Sequence, residues 1–226
     1  MSIHDGHRER KRKQFLEHGL DAFADHEVLE LLLFYAVRQG DTNPTAHELM
    51  RRFGSLNGVL TASPEELLKV KGVGEHTAAL LSLIYPLVRR ARTGDGAEPV
   101  IFNSTQAVDD YFTDLFLGLR EERLYEACLD AKCKLLRCVP VADGCVDTVS
   151  LNVRRLVENA ISCGASFVVL AHNHPSGLAL PSEDDNAATL LAWNALRAVG
   201  VELIDHVIVA DGDYVSLRDN GLLPPR

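Results

Sequence analysis

The chain has 226 residues, of which 46% are hydrophobic and 24% are charged. This composition is typical of a globular protein rather than a disordered or fibrous one, and the length allows one large domain or two modest ones. No apolar run is long enough to span a membrane, and no apolar signal-peptide segment follows the basic residues near the N-terminus. We therefore expect a cytoplasmic protein without a membrane partner.

Charge is distributed unevenly along the chain. Residues 1–92 contain 13 Lys and Arg against 12 Asp and Glu, a net charge of +1. The remainder contains 23 − 13 = 10 against 32 − 12 = 20, a net charge of −10, and the two parts sum to the total of −9. Proteins that bind nucleic acids generally present a basic surface. Any contact with DNA is therefore expected in the first part of the chain and not in the second.

The first part of the chain has the periodicity of short helices. One helix is predicted from Asp25, with Asp25 as its N-cap, and another over 45–53. A third begins near Ser63, where Ser, Pro and Glu follow the order that favours a capping box. These segments predict a small all-α domain over residues 1–92.

A Gly-Val-Gly turn between two short helical segments is typical of a helix-hairpin-helix. Its glycines, Gly72 and Gly74, permit tight backbone geometry, and the next helix would offer free N–H groups to a phosphate. The pattern predicts a weak contact with the DNA backbone through Lys71, Gly72 and Gly74, without reading of the base sequence. Glu75 at the helix start opposes such a contact, and similar hairpins also serve only as packing elements.

Gly, Pro and charged residues without periodicity run from Arg89 to Pro99, and we interpret residues 93–103 as a linker. Residues 104–226 then alternate between helical patterns and short apolar runs, as in an α/β domain with a mixed sheet. The predicted helices cover 104–119, 153–162 and 182–199, and the predicted strands cover 123–129, 134–140, 145–149, 166–170, 201–209 and 214–217.

Two histidines stand where the predicted strand at 166–170 ends. Because side chains alternate along an extended chain, His172 and His174 point to the same side and could share a metal ion. Ser182 and Asp185 follow at the start of the next helix. Imidazole and carboxylate are the ligands of catalytic zinc sites. The alternatives are two solvated histidines, and a helix cap formed by Ser182 and Asp185.

The pattern His172-x-His174-Pro175 followed by Ser182-x-x-Asp185 resembles the metal motif of the JAMM (MPN+/JAB) metallopeptidase family. The whole chain resembles the bacterial RadC branch of that family, which pairs an N-terminal helix-hairpin-helix region with a C-terminal JAMM-like domain. The resemblance implies a JAMM/MPN-like, cytidine-deaminase-like layout for residues 104–226. It also implies Zn²⁺ bound by His172, His174 and Asp185 with water as fourth ligand, and hydrolysis of a peptide or isopeptide bond.

The resemblance further implies a glutamate that lies near the metal and acts as general base, and it places this residue at Glu122. Glu126 has the same strand parity and Glu121 is adjacent, so both remain alternatives. Ser182 is implied to donate a hydrogen bond to the developing oxyanion. We interpret His206, which follows Asp205 in a strand, as a hydrogen-bonded structural residue rather than a ligand.

A second hypothesis assigns the chain to a different class of function. In it the chain is a DNA-associated protein of the RadC type, with a role in DNA repair or in binding branched or single-stranded DNA. The JAMM-like domain would then be a non-catalytic scaffold. The complete set of two histidines, an aspartate and a serine favours the hydrolase, since a scaffold does not require these residues together.

Overall fold

A computed structural model describes residues 3–93, 100–143, 151–175, 177–210 and 213–224. The chain divides into two units, Met1–Val88 and Arg89–Arg226. Most of the predicted linker, residues 94–99, and the predicted strand at 145–149 lie outside the described residues. Among the helices of the described part, none has the length and apolarity that crossing a bilayer requires.

Helices form the described part of the first unit. Its core contains Leu29, Leu33, Leu49 and Leu67, which are fully buried. The helices are α1 (Ile3–His18), α2 (Asp25–Ala36), α3 (Asn43–Phe53), α4 (Leu56–Thr61), α5 (Pro64–Leu67) and α6 (Glu75–Thr93), the last of which continues into the second unit.

The ends of two helices test the predicted caps. At α5 the hydroxyl of Ser63 accepts a hydrogen bond from the Glu66 amide, and the Glu66 carboxylate accepts one from the Ser63 amide, so the predicted capping box is confirmed. At α2 the prediction was wrong by one residue. Ala24 holds the N-cap position because the Glu27 carboxylate reaches back to the Ala24 amide, and Asp25 is the first helical residue.

As predicted, a mixed sheet lies at the centre of the second unit, and the described residues contribute five strands to it. Its strand order is β2-β1-β3-β4-β5, with β3 and β4 parallel and all other neighbours antiparallel. The elements are α7 (Thr105–Phe116), β1 (Arg123–Leu129), β2 (Leu135–Asp143), α8 (Val153–Ser162), β3 (Phe167–Asn173), α9 (Glu183–Ala198), β4 (Glu202–Ala210) and β5 (Asp213–Ser216).

Helices cover both faces of this sheet. On β3 the side chains of Val168 and Leu170 pack in one cluster with α8 and α9, whereas Val169 and Ala171 pack with the aromatic side chains of α7. Because successive side chains alternate, His172 belongs to the face of α8 and α9. Strand β3, at the centre of the sheet, therefore directs the side chain of His172 towards the start of α9.

Strand β3 is longer than predicted. The apolar run ends at Leu170, but the strand continues through His172 and Asn173. His172 pairs with Leu124 of β1 on one side and with Ile208 of β4 on the other. Strand pairing on both sides thus extends β3 beyond its apolar residues, and it holds the backbone of His172 in a fixed position.

Candidate metal centre

Four side chains from three parts of the second unit meet at one end of the sheet. Glu122 directly precedes β1, His172 lies in β3, His174 follows β3, and Asp185 lies in the first turn of α9. One ligand atom of each of these residues lies within 4.8 Å of the others. We call these four residues the candidate metal centre, because such a group could hold a metal ion.

The distances within this centre fit a small tetrahedral ion. The Nε2 atom of His172 lies 2.9 Å from Nε2 of His174 and 3.1 Å from Oδ1 of Asp185. Nε2 of His174 lies 3.7 Å from Oδ2 of Asp185. Ligands of zinc at its usual bond lengths are separated by about 3.3 Å across a tetrahedron. These two histidines and the aspartate therefore match the ligand spacing and the donor types of a zinc site.

Burial and hydrogen bonding keep Asp185 ionised. Burial alone would raise the pKa of its carboxyl, but the close contact with His172 and the hydrogen bonds from Ser182 outweigh burial and hold the pKa well below its usual range. His172 and Asp185 are almost completely buried, whereas His174 keeps about a sixth of its side chain exposed, at 16%. The centre thus contains a buried negative charge with one partly accessible side.

A hydrogen bond at Nδ1 of His174 determines the protonation of its other ring nitrogen, Nε2. Nδ1 of His174 lies 2.8 Å from the carbonyl oxygen of Leu178. A carbonyl oxygen only accepts, so Nδ1 carries the proton and Nε2 of the neutral ring presents its lone pair to the centre. The loop that follows β3 therefore orients His174 for binding a cation.

Ser182 forms the predicted capping box with Asp185. Its hydroxyl donates to Oδ2 of Asp185 at 2.6 Å, and it accepts from the Asp185 amide at 3.1 Å. The Ser182 amide completes the box by donating to the same carboxylate oxygen at 2.8 Å. The cap and the ligand interpretations are therefore compatible, because Asp185 caps α9 through Oδ2 while Oδ1 faces His172. The oxyanion role of Ser182 stays a prediction.

The structure separates the three glutamates proposed as general base. Glu122 lies in the candidate metal centre. The side chain of Glu121 is 77% exposed and lies 3.8 Å from Arg123. Glu126 is fully buried and pairs with Leu170, farther along the sheet. Of these three residues, only Glu122 lies within reach of the histidines and Asp185.

Glu126 has a different environment, beneath α8. Nδ2 of Asn159 donates to one carboxylate oxygen at 2.9 Å, and the Cys128 thiol donates to the other at 3.6 Å. Burial raises the pKa of Glu126 to about 7, and the hydrogen bonds from Asn159 and Cys128 offset only part of this effect. A carboxyl in this position exchanges its proton near neutral pH.

We expect the free energy of unfolding of the Glu126→Gln variant to depend less on pH between 4.5 and 7 than that of the wild type. The unfolded chain ionises Glu126 near its ordinary pKa of 4.5, whereas the folded protein keeps the proton up to about 7. The free energy of unfolding of the wild type therefore falls as pH rises through this interval, by about 3 kcal/mol from this group. Urea denaturation at a series of pH values measures the difference between variant and wild type, in which the other titrating groups cancel.

The control for this prediction is Glu158→Gln. Glu158 is exposed on α8 and pairs with Arg154, so its replacement should shift the stability curve little and without the same pH dependence. Parallel curves for wild type and Glu126→Gln between pH 4.5 and 7 would show that Glu126 titrates normally in the folded protein.

His206 lies behind His172, on the opposite side of that ring from the centre. Its Nε2 atom is 2.8 Å from Nδ1 of His172, and its Nδ1 atom is 2.5 Å from the hydroxyl oxygen of Thr189. Burial lowers the pKa of His206 well below its ordinary value, and the neighbouring His172 lowers it further. His206 is thus a buried neutral ring with hydrogen bonds at both nitrogens. Thr189 had no role in the sequence analysis, because it follows His172 by 17 residues and no local pattern links the two.

Asn173, between the two histidines, is a second residue without a predicted role. Its side-chain oxygen accepts a hydrogen bond from the Arg123 amide at 2.9 Å, and its side-chain nitrogen donates to the Glu121 carbonyl at 3.0 Å. These two peptide groups flank Glu122. Asn173 therefore fixes the backbone on both sides of Glu122, and only the strand pairing, which sequence patterns do not give, brings it there.

The fold and the cluster of His, Asp and Glu side chains are those of a protein with a RadC-like JAB domain. The sequence model of the RadC-like JAB domain family matches residues 102–222. The sequence model of the UPF0758 N-terminal family matches residues 5–79. The chain belongs to this family.

Relatives of similar length carry the same family name. UPF0758 proteins of Methylibium petroleiphilum and Rhodobacter capsulatus are each 36% identical to this chain, over 95% and 94% of it and over 96% and 99% of their own lengths. A UPF0758 protein of Burkholderia thailandensis is 34% identical over 95% of this chain and 82% of its own length. The names of these relatives state no activity, substrate or metal.

Proposed function

We propose that the chain is a zinc-dependent hydrolase of amide or isopeptide bonds. The observation that carries this proposal is the convergence of three acceptors, Nε2 of His172, Nε2 of His174 and the Asp185 carboxylate, at separations of 2.9 to 3.7 Å. Lone pairs at such distances repel one another unless a proton or a metal cation lies between them, and a metal cation can satisfy all three at once. A zinc ion bound there would lower the pKa of a water molecule and polarise a carbonyl group.

The residues of the chain supply the rest of the chemistry. Glu122 lies within 4.8 Å of the proposed ligands, where it can accept a proton from the attacking water and deliver it to the leaving amine. Asp185 supplies the negative charge that holds a divalent cation. Ser182 lies on the same helix start, and its hydroxyl would have to turn away from Asp185 to donate to the oxyanion.

The experiment that tests the proposal uses the full-length protein loaded with zinc. It is incubated with a panel of peptides and of lysine isopeptide conjugates, and cleavage is followed before chelation, after chelation and after zinc is returned. We expect cleavage of at least one substrate class that chelation abolishes and zinc restores. A protein that binds no zinc, or a zinc-loaded protein that cleaves no member of the panel, would contradict the proposal.

DNA association through the first unit is the second candidate function. In the turn before α6, Gly72 has φ +92°, and a Cβ added to it would lie 2.5 Å from the Thr45 hydroxyl. Backbone conformation and packing against Thr45 therefore explain Gly72 without any contact with DNA. Gly74 differs, because a Cβ added there meets nothing within 4 Å, so packing does not explain it. Open backbone at a helix start is the observation that favours phosphate contact.

The DNA candidate is tested on the full chain with Gly74→Ala and Lys71→Ala, compared with Lys132→Ala in the exposed β1–β2 turn. If the hairpin binds phosphates, the first two variants bind DNA more weakly, and Lys71→Ala lowers the salt-dependence slope by about 1. DNA affinity that is the same in all three variants and the wild type would remove the hairpin from DNA binding.

A further inference from the structure

Three buried side chains from three different elements form a continuous hydrogen-bonded chain. Thr189 lies on α9, His206 on β4 and His172 on β3, and each is at most 2% exposed. The Thr189 hydroxyl is 2.5 Å from Nδ1 of His206, and Nε2 of His206 is 2.8 Å from Nδ1 of His172. The chain ends at the ring whose other nitrogen faces the candidate metal centre.

The hydrogen bonds of Thr189 determine which atom donates and which accepts at each step of this hydrogen-bonded series. The Thr189 oxygen also lies 2.5 Å from the backbone carbonyl of Asp185, one helical turn earlier. A hydroxyl has one proton and a carbonyl oxygen has none, so the hydroxyl donates to the carbonyl. If it donated to His206 instead, two unprotonated oxygens would face each other at 2.5 Å. The Thr189 oxygen therefore accepts a hydrogen bond from Nδ1–H of His206.

The remaining positions are then determined. A neutral His206 with its proton on Nδ1 has a lone pair on Nε2, and that lone pair accepts from Nδ1–H of His172. His172 consequently presents the lone pair of Nε2 to the candidate metal centre. His174 has the same tautomer for a simpler reason, because the backbone carbonyl of Leu178 accepts a hydrogen bond from its Nδ1–H.

We propose that His206 and Thr189 are positioning residues that hold His172 in the Nδ1–H tautomer, with Nε2 directed at the metal. The inference rests on the proposed function in one respect, namely that the centre binds zinc. Neither residue contacts the metal or the substrate in this role. Hydrogen bonds to the outer nitrogen of a histidine ligand fix its tautomer and raise its basicity, and their loss commonly lowers metal affinity about 10–100-fold.

The hydrogen bonds of Thr189, His206 and His172 also connect two of the proposed ligands, His172 and Asp185. Thr189 donates to the carbonyl of Asp185 and accepts from His206, which in turn accepts from His172. The backbone of one ligand and the ring of another are thus linked through β4. A change at Thr189 therefore acts on both ligands, although its side chain touches neither of their metal-facing atoms.

The first test uses the metal-free wild-type protein at about pH 9, where imidazoles are neutral. Side-chain ¹⁵N spectra report which nitrogen of each ring carries the proton. We expect the proton on Nδ1 in both His172 and His206. A proton on Nε2 of His206 would overturn the proposal without recourse to any variant.

The second test measures zinc affinity in Thr189→Val and Thr189→Ser by competition with a chelator. Valine keeps the shape of threonine but leaves the Nδ1–H of His206 without an acceptor, which favours the opposite tautomer of both rings. We expect zinc to bind about 10–100-fold more weakly to Thr189→Val and with nearly wild-type affinity to Thr189→Ser. Wild-type affinity in a Thr189→Val protein that melts like the wild type without metal would overturn the proposal.

These tests separate the positioning role from the proposed function. A wild-type protein that binds zinc but cleaves no substrate contradicts the hydrolase and leaves both measurements intact. A wild-type protein that binds no zinc contradicts both the metal centre and the proposed purpose of the His172 tautomer. The ¹⁵N spectra still establish or refute the direction of the hydrogen bonds from Thr189 to His172.

Discussion

Replacement of Glu122 by glutamine is expected to lower kcat for the cleaved substrate about 10²–10⁴-fold while zinc remains bound. The amide of glutamine has nearly the shape of the carboxylate but cannot take a proton from water. Zinc should remain because His172, His174 and Asp185 bring the three ligand atoms to separations of 2.9 to 3.7 Å without Glu122. Steady-state kinetics and elemental analysis of the same preparation measure both quantities.

The matched control is Glu121→Gln, one residue away. The Glu121 carboxylate is exposed and lies outside the candidate metal centre, so its removal should leave kcat close to that of the wild type. Nearly full activity in Glu122→Gln would contradict the role of general base. Loss of zinc from Glu122→Gln would also contradict it, because Glu122 would then be a ligand.

Replacement of Asp185 by asparagine is expected to weaken zinc binding by more than about 100-fold, beyond the usual effect of residues that only support a ligand. Asp185 is the one charged residue among the three proposed ligands. Its pKa is held well below the ordinary range, so the full negative charge is present at neutral pH. Asparagine keeps the size and removes the charge. Chelator competition measures the dissociation constant, and elemental analysis measures the zinc retained on purification.

Two further variants separate the ligand role of Asp185 from its role as a helix cap. Asp184→Asn removes an exposed charge from the same first turn of α9 and should leave zinc affinity unchanged. Ser182→Ala removes the hydroxyl that bonds to Asp185 but keeps the carboxylate. If Ser182→Ala, correctly folded, loses as much zinc affinity as Asp185→Asn, the position that the cap gives to Asp185 explains the effect, and the loss of charge does not.

Local patterns were sufficient to predict much of the second unit. Strand β1 occupies the predicted residues 123–129, and the mixed sheet was predicted from the alternation of helical and apolar segments. The same-side arrangement of His172 and His174 was predicted from strand alternation, and it holds although β3 ends at Asn173, between the two. The end of β3 did not follow, because His172 and Asn173 are polar and only pairing with β1 and β4 keeps them in the strand.

The choice of the general base among the three glutamates shows where the alternation of side chains along a strand is not sufficient. Glu122 and Glu126 have the same parity, so alternation cannot distinguish them. Register does so, since Glu126 pairs with Leu170 whereas Leu124 pairs with His172, which places Glu122 at the strand end. Register depends on contacts between segments about fifty residues apart. The Thr189–His206–His172 chain was missed for the same reason, since it joins three elements that only the folded sheet brings together.

The hydrogen bonds of Asn173 have a consequence for the order in which the site assembles. The three proposed ligands lie within one short stretch, residues 172–185, whereas Glu122 comes from a segment fifty residues upstream that Asn173 holds through Glu121 and Arg123. In the proposed hydrolase, the base would therefore take its place only when β1 pairs with β3, whereas the three ligands come from β3, the loop after it and the start of α9.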